Sequence, residues 1–501
     1  MYAIWWLLIP TTVVWLSWRW LNRQQLALAA ALPGPPALPM VGNALLFMVK
    51  PEETLKVITD MLLKYGEYVR FWLGPELNVV VSNPADIRLL LSSNKLNVKG
   101  PMYDYLKPFI GNGILSGGSS WRLHRKIVTP SYSKGAVHHF SEIFNREARE
   151  LALQLTKKDP RETFDVYYDV VRCTTQCVCQ TLMGLNKKDS QNIYRLDEVV
   201  LKTQEIYDFI FTNITKWWLR IPLVYWLTGR GVQERYLKTL LIDMATDIAR
   251  KRKKALEKDD GVETMSAVDK LILSQALSEE EIILETITMF TTSQEASAKI
   301  IAAILLFLAH LPDWQDAVYN EIIEVLGPED GDVSEAELKR LKYLDAVYNE
   351  VLRYLPIAAF IQRTVGEKIT INNGAITLPR GTKVTLPIHA LHRDPRYWPR
   401  PDQARPGRFL PEEAMTRDPN AFVPFSLGPM DCLGRVYARS LIKTLVVRTL
   451  RRVQLSASGR LEDLPLQVAI SVKFARGYNL RCRPRDPGTL VTNAPQLIII
   501  K

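Results

Sequence analysis

Phe425-Ser426-Leu427-Gly428-Pro429-Met430-Asp431-Cys432-Leu433-Gly434 holds one cysteine between two glycines. It runs straight into a segment whose apolar residues, Val436, Ala438, Leu441, Ile442, Leu445 and Val446, repeat with helical spacing. A thiolate that ligates a metal must stay deprotonated, and a cysteine at the mouth of a helix meets free backbone N–H groups and the positive end of the helix dipole. Gly428 permits a turn with positive φ, and Gly434 lets backbone approach a flat ligand with no Cβ in the way. The loop is shaped for something planar.

The same loop resembles the haem-ligand segment of the cytochrome P450 family, Phe-x-x-Gly-x-Arg-x-Cys-x-Gly. Phe425, Gly428, Cys432 and Gly434 match, and Met430 stands where the family has arginine. Further motifs follow at corresponding distances. Trp121-x-x-x-Arg125 puts an indole and a guanidinium on one helix face; in the family this pair meets a haem propionate. Glu350-x-x-Arg353, with Arg408 of Pro406-Gly407-Arg408-Phe409, resembles the Glu-Arg-Arg network that braces the cysteine loop. That role is structural, since losing one member leaves buried charge unpaired. Arg363 matches a second propionate arginine, and His392-Arg393-Asp394-Pro395 also matches. The resemblance implies Cys432 as axial ligand of the iron in haem b, with Trp121, Arg125, Arg363, Phe425, Gly428 and Gly434 around the cofactor. Met430 removes one propionate contact, so weaker haem retention is expected. Thr291 replaces the glutamate that esterifies haem in family-4 fatty-acid hydroxylases, so the haem is expected to be non-covalent.

Ser278-Glu279-Glu280-Glu281 reads as a capping box, and a helical pattern runs on without proline to Leu311, with Pro312 as the stop. At ~1.5 Å per residue this helix spans about 50 Å and crosses a whole domain. It resembles the family's central helix but departs from its Gly-x-acid-Thr pattern. Anchored on Met289-Phe290, the register puts Thr292 at the glycine, Gln294 at the acid and Glu295 at the threonine. The usual proton relay to dioxygen is then missing. Thr292 and Ser293 are candidates for holding water, and Glu295 for donating protons if burial raises its pKa.

The resemblance assigns substrate contacts to Phe109, Ile110 and Ile114 in one loop, and to Met289 and Phe290 on the central helix. It adds Ala359 and Phe360 after Pro356, and Val472 and Phe474 in a closing hairpin of Ala469–Phe474 with Tyr478–Arg483. Strands are expected over Glu67–Leu73 and Glu76–Ser82 and between Lys368 and Ile388. Ser334-x-x-Glu337 is expected to open the helix that carries Glu350 and Arg353.

Residues 1–22 lack charge until Arg19 and read as a retained membrane anchor, with Arg19 and Arg23 on the cytosolic side. Residues 23–42 form a basic, proline-rich hinge, 43–485 the catalytic domain and 486–501 a tail. The fold class is mainly α with small β-sheets, a cytochrome P450 fold behind a transmembrane anchor. Five cysteines are too few for a disulfide framework, and Cys173, Cys177 and Cys179 lie in an apolar helical stretch as small core residues. The net charge of +11 fits an anionic membrane surface or an acidic partner. Arg250–Lys254 suits a helix C-terminus with a solvated face, and no nucleic-acid motif accompanies it.

The resemblance is closest to microsomal family-4 members, insect ones included. It implies a monooxygenase that takes electrons from NADPH through NADPH–cytochrome P450 reductase, with cytochrome b5 as an optional second donor. Such an enzyme hydroxylates a fatty acid, a terpenoid or steroid hormone, or a xenobiotic such as an insecticide, at the endoplasmic reticulum (microsome) membrane with the catalytic domain cytosolic. Two alternatives suit the altered central helix: a haem-thiolate isomerase or dehydratase of oxidised lipids, and a non-catalytic haem- or lipid-binding relative.

Overall fold

The computed structural model describes residues 13, 16–38, 41–258 and 266–485. Most of the anchor segment and the tail 486–501 lie outside the described residues.

The largest apolar core packs around one helix, Glu279–His310. Its start is fixed by the expected capping box: Glu281 N–H donates to Ser278 Oγ (3.2 Å), and Ser278 N–H donates back to the Glu281 carboxylate (2.9 Å). From Ala298 to Ala309 every residue is buried, so this stretch has no solvent face, as befits a helix apolar all round. Among the described residues it is the one helix long and apolar enough to cross a membrane, yet 83% of its most apolar window is buried inside the domain. Against it pack the helices Tyr167–Thr181, Arg230–Leu256, Lys342–Tyr354 and Arg435–Arg452. Cys173, Cys177 and Cys179 are all buried in the first of these, as expected.

The strands, in chain order, are β1 (Tyr68–Leu73), β2 (Glu76–Val81), β3 (Val98–Lys99), β4 (Phe164–Asp165), β5 (Ile361–Thr364), β6 (Ile369–Ile371), β7 (Ile376–Leu378), β8 (Lys383–Leu386), β9 (Val453–Ser456), β10 (Leu466–Val468), β11 (Val472–Phe474) and β12 (Asn479–Pro484). The main sheet runs β1-β2-β8-β5-β3, with β2 and β8 parallel and the other pairs antiparallel. It carries its own apolar cluster, which includes Leu77, Val79, Val384 and Leu386.

Several expectations are revised. The closing hairpin does not form: β11 pairs with β10, while β12 pairs with β9 and β4. Ser334 caps only the short helix Glu335–Leu338, and a separate helix, Lys342–Tyr354, carries Glu350 and Arg353. Pro312 both ends the central helix and opens the next one, Pro312–Leu326, where its missing N–H has no intrahelical partner to lose. Arg252 in the basic run is buried against Asp269 rather than solvated. The hinge begins as a helix, Arg23–Ala31, whose Leu28 and Ala29 are buried against the main sheet. Arg70 Nε donates to Ala29 O (3.0 Å) and Arg70 Nη1 to Pro35 O (2.9 Å), so the proline segment is tied down.

Candidate active site

The cysteine loop is held open by its own backbone. Ser426 and Gly428 both have positive φ (61° and 75°), and a Cβ on Gly428 would lie 2.2 Å from Leu91 O, so only glycine fits there. Cys432 N–H donates to Phe425 O (2.9 Å), closing the loop, and the helix Arg435–Arg452 follows at once. The sulfur opens onto a cavity of about 320 Å³ that lies between this loop and the central helix. Burial pushes the Cys432 thiol up. The Gly434 N–H opposes this, Asp431 adds to it, and the guanidiniums of Arg125 and Arg435 pull the other way.

Behind the loop, Glu350 and Arg353 form a fully buried two-toothed pair at 2.8 Å. Arg353 also donates to His392 O (2.9 Å) and Pro401 O (2.8 Å), and the His392 ring accepts the N–H of Val423 (3.1 Å), a cavity residue just before Phe425. Arg408 stands 3.7 Å from Glu350 and spends its hydrogen bonds on the carbonyls of Pro399 and Arg400. These residues come together as expected, with Arg408 at the edge of the pair.

One rim of the cavity is cationic. Arg125 and Arg363 both line it, but Arg125 is already engaged with Asp431, through its carbonyl (2.8 Å) and its carboxylate (2.5 Å). Trp121 does not line the cavity; its ring lies 5.7 Å from the Arg122 guanidinium. A third cation is Lys99, which sequence reasoning missed. In the β3–β5 pairing Lys99 sits directly opposite Arg363, and among the described residues neither has a carboxylate partner within salt-bridge reach. Desolvation, then Arg363 and Arg125, hold the Lys99 ammonium well below the usual lysine range. Like charges directly opposite on a ladder are unfavourable. A dianionic group between Lys99 and Arg363 removes that cost. The donor set thus fits haem: a thiol at the centre of a largely apolar slot and unpaired cations for its carboxylates.

The central helix presents Thr288, Met289, Thr292, Ser293, Ala296 and Ile300 to the cavity, with Ser297 beside them, spaced three and four apart as one helix face must be. Gln294 and Glu295 lie on the other side. Glu295 is 1% exposed and forms an ion pair with Lys299, which itself donates to Ser471 Oγ; Gln204 Nε2 and Ser471 Oγ donate to Glu295 at 3.0 Å. Gln294 is fully buried, and its backbone carbonyl accepts from Thr174 Oγ1 (3.0 Å). Thr292 faces the cavity with its hydroxyl donated to Thr288 O (2.7 Å). A relay threonine must face the cavity, and Glu295, which the register set by Met289-Phe290 puts in that place, does not; its neighbour Ala296 does.

Of the expected substrate residues, Ile114 and Met289 line the cavity, joined by Leu115, Ile357, Ala358 and Ile361. Phe109, Ile110 and Phe290 are buried in the core, and Phe109 packs edge-on to Phe209 at 6.0 Å. Ala359, Phe360 and Val472 do not line it either, and Phe474 borders a second cavity, of about 670 Å³, beside Lys473 and Gln204. A one-residue offset along a strand or helix turn changes the face, which explains most of these misses.

A long buried helix above a cysteine loop, with a cation-rimmed apolar slot between them, defines a haem-thiolate protein. The cytochrome P450 family profile matches residues 32–472. The chain is 30% identical to a cytochrome P450 4V2 of Pongo abelii over 470 residues, covering 90% of this chain and 89% of the relative. A probable cytochrome P450 4s3 of Drosophila melanogaster shows 30% identity over 477 residues, covering 91% and 92%. The mouse cytochrome P450 4V2 shows 31% over 473 residues, covering 90% and 89%. The protein belongs to the cytochrome P450 family and is a P450 monooxygenase, an oxidoreductase with haem and its iron as cofactor. These likenesses do not favour the isomerase or binding-protein alternatives.

Proposed function

We propose that this monooxygenase hydroxylates a lipophilic substrate, fed by NADPH through a membrane reductase with cytochrome b5 as an optional donor, at the endoplasmic reticulum membrane. The observation that carries the reading is the apolar part of the cavity lining, to which Ile114, Leu115, Met289, Ile300, Ile357 and Ile361 all contribute. Haem, when bound to Cys432, supplies dioxygen activation with electron donation from the thiolate. The chain's own residues do the rest. Lys99 and Arg363 would hold the haem carboxylates, and Arg125 fixes the loop through Asp431. The aliphatic wall orients the substrate and excludes water. Ser297 is the hydroxyl on that face suited to hold water for proton delivery, while Ser293 is hydrogen-bonded to Tyr132 and Thr288 and Thr292 donate to their own helix (2.9 and 2.7 Å).

Exposed apolar side chains support membrane contact. Leu223, Trp226, Leu227 and Val232 are each more than 60% exposed. Arg220 pairs with Glu76 (3.1 Å), which brings their segment to the β1–β2 turn, beside the exposed Leu38 and Leu45 near the N-terminal end. Such a patch suits a bilayer surface and admits lipophiles from it.

The test is reconstitution with NADPH reductase in lipid, with fatty acids, terpenoids, steroids and insecticides offered together. Oxygenated product with little hydrogen peroxide per NADPH is the expected result. Peroxide without product, or no NADPH consumption, overturns the reading.

A further inference from the structure

His124 and Glu285 meet beside the cavity without lining it. Both are buried, with His124 Nδ1 2.7 Å from Glu285 Oε1 and Nε2 3.6 Å from Glu281 Oε1. The same Glu285 oxygen accepts the backbone N–H of Ile114 at 2.9 Å. The loop is built for that approach. Gly113 and Gly117 exchange backbone hydrogen bonds at 2.9 Å, and Gly113 N–H also reaches Ser116 Oγ at 3.1 Å. A Cβ on Gly113 would fall 1.8 Å from Glu285 Oε1 and displace that carboxylate, and Gly111 turns the chain beside Leu284 with a positive φ of 64°, so both glycines help the loop to lie against the central helix.

One carboxylate therefore joins three parts of the active-site wall. His124 precedes Arg125 on its helix, Ile114 and Leu115 line the cavity from the loop, and the central helix presents Thr288 and Met289 one turn beyond Glu285. We propose that Glu285, clamped by His124, is a specificity-determining residue: it sets how far Ile114 and Leu115 reach over the haem, and so the size of substrate admitted. A buried carboxylate that loses its partner must move or be protonated, and Ile114 moves with it. This rests on the cavity being the haem and substrate site.

The test uses optical titration of the ferric holoprotein with imidazole and with the bulkier 1-phenylimidazole, and reads the ratio of their Kd values. That ratio compares two ligands on one protein, so a general loss of stability cancels. Glu285→Ala is expected to change the ratio by fivefold or more, Ile114→Ala to change it in the same direction, and Glu285→Gln, which keeps an oxygen for Ile114, to change it less. If Glu285→Ala folds poorly, Glu285→Gln against Ile114→Ala decides. A ratio within twofold of wild type in both Glu285 variants overturns the inference while leaving the site intact. No spectral shift with either ligand in the wild-type protein overturns the site reading and the inference together.

Discussion

The two sides of the central helix follow opposite rules. Toward the cavity it shows small and hydroxylated residues, Thr292, Ser293, Ala296 and Ser297, and no charge. Away from it lies the buried Glu295–Lys299 pair, fastened to Ser471 and Gln204. One side must accept a variable guest; the other must never change. Glu295 sits one position from the first set and belongs wholly to the second, so in a helix a step of one residue, about 100°, separates chemistry from architecture.

The sharpest way to break this comparison is Lys299→Met, which strands the Glu295 carboxylate. A loss of about 3–5 kcal/mol is expected in denaturant unfolding. The double variant Glu295→Met/Lys299→Met should recover most of it, while Glu295→Gln should leave peroxide per NADPH unchanged. A rise in peroxide with Glu295→Gln would return Glu295 to the relay. On the cationic rim, Lys99→Met should speed haem loss to a scavenging protein on the order of tenfold, with Lys99→Arg near wild type; equal rates would mean that Arg363 suffices. On the cavity side, Ser297→Ala should raise peroxide per NADPH about threefold by removing a water anchor, with unfolding unchanged.

The smallest expected effect is on pH dependence. The Glu285 hydrogen bond, against desolvation and with help from Glu281, raises the His124 pKa. The pair's stabilisation is complete below the unfolded histidine value of about 6.5 and is lost as pH rises through the higher folded value. Asp269 on the packing helix Ala267–Leu273 is bound to Arg252 and Lys270 is its other charge, so the Glu281–Glu285 side dominates. The wild-type thermal midpoint should fall over that range, and His124→Gln should flatten the curve. An identical slope in the variant would reassign the titration.

Legibility in the sequence followed the range of the interaction. The cysteine loop, the capping box at Ser278 and the Glu350–Arg353 pair are local, set by neighbours within a few residues, and each is where the motif put it. Arg363 and Ile114 were also readable from the resemblance and do line the cavity. Lys99 was not, because nothing near it in the chain marks it; it becomes part of the rim only when β3 pairs with β5. Phe474 failed for the same reason, since its strand chose β10 rather than β12. Thr292 reaches the cavity but Gln294 and Glu295 do not, because pattern order carries no angle, and only packing fixes which face turns inward.

The docked N-terminal segment has a mechanical consequence. Trp18 packs 6.1 Å from Trp72, and Arg70 grips both Ala29 and Pro35. This makes the stretch a bracket and not a leash: residues 18–35 are pinned at several points along their length, so the segment and the main sheet move as one piece.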